Sequence, residues 1–118
     1  MLHAQWWTAL LAVLASSGCA AAPVPAERLA SAEAGIRAAT EVGAEAVPQG
    51  ALHLKLARDQ VELARTLVKS GDNDRAAMLL SRAETDADLA LSLARESVAR
   101  ADANALLAQI QTLRQQSP

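Results

Sequence analysis

Beyond Trp7 the chain has no aromatic side chain except one histidine: phenylalanine and tyrosine are absent from all 118 positions, and both tryptophans, Trp6 and Trp7, stand near the start. A core made by the remainder must be assembled from leucine, valine, isoleucine, methionine and abundant alanine. Such side chains bury little area each, so cohesion has to come from helix propensity and from alanine-faced helices lying close together. The expected fold is all-α, an antiparallel three-helix bundle with a long C-terminal helix, preceded by a signal segment. The length suits one domain.

The segment before the bundle carries the only cysteine, Cys19. It follows an apolar run, Leu10-Leu11-Ala12-Val13-Leu14-Ala15, and the small residues Ser16-Ser17-Gly18. The run has the length of a secretory h-region and is short of the roughly 20 apolar residues a membrane span needs. A lone cysteine there resembles the lipid acceptor of a bacterial lipoprotein signal. That reading divides the chain into a signal peptide at 1–18, a tether at 19–24 and a helical domain at 25–118. Two features depart from the lipoprotein pattern. Ser16 occupies the place three before the cysteine where leucine is usual, and the n-region has no Lys or Arg. Ordinary signal cleavage after the alanines and an uncleaved inner-membrane anchor stay open as alternatives. A single cysteine excludes an internal disulfide framework. Ala20, rather than Asp, follows Cys19, which by the lipoprotein resemblance leans toward the outer membrane.

The helices are marked by their stops. Pro25 suits a first turn, whose N–H has no partner in any case. Leu29, Ala32, Ile36 and Ala39 form one stripe, and Gly43 offers a left-handed end, giving a helix over about 25–42. Residues 44–50, with Pro48 and Gly50, read as a turn. The second helix, about 48–70, has an apolar arc of about 200° formed by Leu52, Leu54, Leu56, Ala57, Val61, Leu63, Ala64, Leu67 and Val68. Its width implies two neighbours, with Leu56 and Leu63 covered at its middle and Gln60 bonded to an adjacent helix. Gly71 then ends the helix, and Asp72 or Asn73 caps the next. The EF-hand spacing is absent, so this acidic turn implies capping and no metal.

From Asn73 no breaker occurs until Ser117-Pro118. Ala76, Leu80, Ala83, Ala87, Ala90, Ala94 and Ala101 make one stripe at heptad-like spacing. After Arg100 a second stripe, Leu106, Ile110 and Leu113, is turned from the first by about 130°. The two shorter helices cannot reach it, so it is the candidate interaction surface.

The chemistry expected of this chain is sparse. Formal net charge is −2 with the signs interspersed, which gives no case for nucleic acid. No nucleophile elbow, phosphate loop or HExxH motif is present. His53 reads as a structural or surface residue, and Glu84, Asp86 and Asp88 as surface charges. Glu62 is expected to pair with Arg58 and Arg65. No catalytic residue, metal ligand or cofactor site is expected, and the chain reads as a non-enzyme.

Taken in order, Cys19, Pro25-x-x-x-Leu29, Ala32 and Ile36, Gly43-Ala44 with Pro48, Leu56-Ala57, Val61 to Ala64, Gly71-Asp72, and Ala76, Leu80, Ala83 with Ala87 to Ala94 resemble one family. It is the alanine-rich bacterial envelope lipoproteins called domain of unknown function 4398. Members of that family are often joined to, or resemble the region ahead of, an OmpA-like peptidoglycan-binding domain. No such domain is legible here, and the family supplies no catalytic or ligand residues to carry over. The Gly71-Asp72 turn with Ala76, Leu80 and Ala83 also looks like half a tetratricopeptide repeat, but one helix pair is too few for such an array. The expectation is a lipid-anchored protein on the periplasmic face of the outer membrane. There it would serve as a helical adaptor or scaffold that binds an envelope protein or itself. A peptidoglycan- or membrane-surface-binding accessory module is the alternative.

Overall fold

A computed structural model describes residues 25–117. The segment 1–18 read as a signal peptide, Cys19 and the 19–24 stretch read as a tether lie outside the described residues. Three helices run α1 (Ala26–Glu41), α2 (Pro48–Lys69) and α3 (Asn73–Gln116), with one 3-10 turn at Ala44–Ala46 between the first two. No strand occurs among the described residues. Each helix packs antiparallel to the one before it in the chain, as the sequence implied.

The connections follow from a few residues. Pro25 stands at the N-cap of α1, and its carbonyl accepts the first helical bond, from the Leu29 N–H at 3.0 Å. Gly43 takes φ 92° and its N–H donates to the Thr40 carbonyl, ending α1. Pro48 is the first residue of α2, where its missing N–H costs nothing. At the other end of α2, Gly71 takes φ 82°. Its N–H donates to Val68, and the Asp72 N–H reaches back to Leu67 at 2.9 Å. These two bonds make a Schellman motif. Asp72 also opens α3, its carboxylate accepting from the Arg75 N–H. One residue thus closes one helix and caps the next, so the reversal is tight.

The core matches the composition. Among the described residues ten of the thirteen buried apolar side chains are alanine, and only Leu54 and Leu80 are both large and fully buried. Two clusters stack along α3. One, near the α2–α3 turn, gathers Ala32, Val61, Ala64, Ala76, Leu80 and Ala83. The other, near the α1–α2 turn, gathers Ala39, Ala44, Leu54, Ala90 and Ala94. Alanine permits close approach: a Cβ added at Gly35 in α1 would lie 3.1 Å from the Ala87 Cβ in α3.

Two expectations are corrected here. The buried face of α2 is Gly50, Leu54, Ala57, Val61 and Ala64, one side of the wide arc. Leu56 and Leu63 are 38% and 52% exposed, and Leu52 is exposed with them. The alanines of α3 select the side of α2 that carries Gly50, Ala57 and Ala64, because the row of leucines at 52, 56 and 63 would hold the backbones apart. The buried α3 stripe also ends at Ala94, and Ala101 lies in solvent.

Candidate functional site

The length of α3 decides where a site can be. It has 44 residues and α2 has 22, so at 1.5 Å per residue α3 is about 66 Å long and α2 about 33 Å. The first half of α3, to Ala94, is covered by α1 and α2. Every residue from Arg95 to Ser117 is exposed. The free half keeps its helix because the bundle supplies a nucleus from which each further residue adds one backbone bond.

Leu106, Ile110 and Leu113 lie on this free half and are 60%, 44% and 55% exposed, with Val98 and Leu107 also exposed. Their stripe extends toward the bundle through Ala103 and Ala99. The five positions are spaced four, three, four and three residues apart, the period of a coiled-coil seam. Arg100 bonds Glu96 within this segment at 3.0 Å through Nε. The face is apolar, continuous and covered by no other described residue.

The opposite end of the molecule is where the chain enters. A shallow apolar cavity of about 260 Å³ lies there, lined by Pro25, Leu29, Ala64, Val68, Lys69 and Leu80 among others. Its volume falls below the 300–1,000 Å³ usual for ligand pockets. Its lining puts the start of α1 beside the end of α2, at the end of the bundle from which α3 departs. Entry point and free half are therefore at opposite ends.

Polar contacts hold the helices in register. Asp86 on α3 is half-buried: its Oδ1 lies 2.8 Å from His53 Nδ1, and its Oδ2 accepts from Gln60 Nε2 at 2.8 Å, both on α2. Gln60 bonds a neighbouring helix as anticipated. Asp86 is no free surface charge, which corrects the sequence reading. Position 86 sits one residue short of buried Ala87, on the flank of the α3 stripe that faces α2, and that placement was the available signal. Glu84 faces α1 and lies 3.7 Å from Arg28. Arg65 pairs with Glu62 as expected, and also with Glu33 of α1. The hydrogen bond that its guanidinium donates to Glu33 foremost, and then the charge of Glu62, raise the Arg65 pKa above its ordinary value. Arg58 does not pair with Glu62. It reaches across to Glu45 at 2.8 Å and to the Thr40 hydroxyl at 3.0 Å, because its position on α2 faces the α1–α2 connection.

No group of three or more His, Cys, Asp or Glu side chains that could hold a metal gathers among the described residues. No described helix is long and apolar enough to cross a membrane. A family model described as a domain of unknown function, DUF4398, matches residues 27–106. No curated protein and no solved structure matches the chain.

Proposed function

The chain belongs to the DUF4398 family, and we propose that within it this protein is a non-catalytic envelope lipoprotein. It is a helical strut, held through Cys19 at the periplasmic face of the outer membrane, that presents the free half of α3 to an envelope partner or to another copy of itself. The observation that carries this reading is the polarity of the molecule. The chain enters the bundle at Pro25, against the end of α2. Leu106 to Leu113 lie about 50–60 Å along α3 from that end. An anchor at one end and an uncovered apolar stripe at the other are what an adaptor needs to reach away from a surface.

Lipid at Cys19 would supply the attachment. Each buried methylene contributes about 0.8 kcal/mol, and more than one chain makes attachment stable. The tether is six residues long, which at about 3.5 Å per residue keeps the bundle within roughly 20 Å of its anchor. The test is Cys19→Ser, followed by membrane fractionation and labelling with a fatty-acid analogue. The wild type should take up label and sediment with outer membranes, and the variant should do neither. A variant that stays membrane-bound with unchanged mobility, beside a wild type that takes up no label, ends the lipoprotein reading.

A further inference from the structure

We infer that the occupant of the free half of α3 is a second copy of this chain, the two helices side by side in parallel as a short two-stranded coiled coil. The inference deepens the adaptor reading, and rests on it for the shared anchorage. The spacing assigns the seam positions. Ala99, Leu106 and Leu113 fall at d, and Ala103 and Ile110 at a. Isoleucine at a with leucine at d is the combination that favours two parallel strands. All five side chains are exposed, so no described residue competes for them.

The flanking positions supply no opposite-charge pair across the seam, so the pairing rests on the seam itself. Gln109 at g faces Arg114 at e of the partner helix. Arg95 at g faces Arg100 at e, whose charge is already met by Glu96. Glu96 itself falls at the next a position toward the bundle, and its charge limits the seam to the segment beyond it. The two bundles can then sit apart while the far ends join.

The size of the seam says why the partner should be tethered. From Ala99 to Leu113 it is about 21 Å long on a helix about 10 Å across. That footprint is well short of the ~800 Å² per partner of a stable soluble complex. Two chains fixed to one membrane face meet at a high effective concentration, which compensates for a weak contact. Common anchorage also selects the orientation. Parallel pairing leaves both entry ends together. Antiparallel pairing centred on Leu106 would hold them about 100 Å apart along the helix axis.

The experiment is thiol crosslinking of the full chain in intact membranes, with Cys19 kept so that the tether remains. Ala99→Cys and Leu113→Cys are introduced singly, with Gln115→Cys on the outward side of the helix and the unaltered chain as controls. Each seam variant alone should give a crosslinked homodimer. Gln115→Cys and the unaltered chain should give at least tenfold less. Adding Ile110→Glu to Leu113→Cys should abolish the band while helix content by circular dichroism is unchanged, since position 110 is exposed in the monomer. A band that appears only when Ala99→Cys and Leu113→Cys chains are mixed overturns the parallel arrangement. A seam cysteine that joins only a different envelope protein overturns the second copy and leaves the adaptor reading standing. No crosslink of any kind overturns both.

Discussion

Among the described residues Leu54 and Leu80 are the two large side chains fully removed from water, and each anchors one of the two alanine clusters. Truncating either to alanine leaves a hole among side chains too short to fill it, so each change should cost about 2–5 kcal/mol. Leu56→Ala and Leu63→Ala, on the exposed side of α2, should stay within about ±0.5 kcal/mol, the usual surface range. Urea unfolding of the four variants checks the face directly: equal losses at all four positions would contradict it. Gly50 makes a second residue-scale case. A Cβ there would lie 2.8 Å from the Ala44 carbonyl oxygen, a backbone atom that cannot swing aside. Gly50→Ala should therefore destabilise, although alanine is the better helix former by about 1 kcal/mol. A rise in melting temperature for this variant would show that the α1–α2 connection is looser than described.

At the scale of elements, Asp86 joins α3 to α2 by accepting from Gln60 beside its contact with His53. Asp86→Ala leaves half-buried polar groups unmatched and should cost roughly 1–3 kcal/mol. A double-mutant cycle with Gln60→Ala should show coupling, and additive losses would mean that the bond contributes nothing. The helix boundaries were legible in the sequence because they rest on local chemistry: Gly43, Pro48, Gly71 and Asp72 each mark an end for a reason confined to a few residues. So was the α3 stripe up to Ala94, since a long helix with one alanine face has one way to pack. The covered side of α2 was harder, because both halves of its arc are equally apolar and hydropathy cannot rank them. The deciding property is size. Gly50, Leu54, Ala57, Val61 and Ala64 repeat at alternating spacings of four and three with mostly small side chains, and only that side lets α2 approach the alanines of α3. The Asp86 contacts were illegible for a related reason: a carboxylate on the flank of a helix looks like a surface charge until its neighbour's face is known. Cutting the chain after Asp102 removes Leu106, Ile110 and Leu113 but none of the buried positions, so the shortened chain should keep its helical bundle and its unfolding midpoint within a few degrees. Unfolding on truncation would mean that the stripe belongs to the core.

For the whole molecule, the account turns on an α3 with two halves of different standing. Asn73 to Ala94 is held by the other helices, and Arg95 to Gln116, among the described residues, is held by bonds within its own length. Helical stability in proteins comes mostly from packing of an apolar face, and opening free energies fall where such packing is missing. The free half is available to a partner because the fold spends no contact on it. Its exchange behaviour therefore reads out its freedom in isolation and tests the proposed engagement by a partner in the envelope. The most direct measurement is amide hydrogen exchange along α3, made once on the dilute purified chain and once on native membranes. In the dilute chain, amides at 76–94 should exchange at least tenfold more slowly than those at 98–113. In membranes the second group should slow toward the first. Uniform protection along all of α3 in the dilute chain, or no slowing at 98–113 in membranes, would contradict a half-covered helix that exists to be met by a partner.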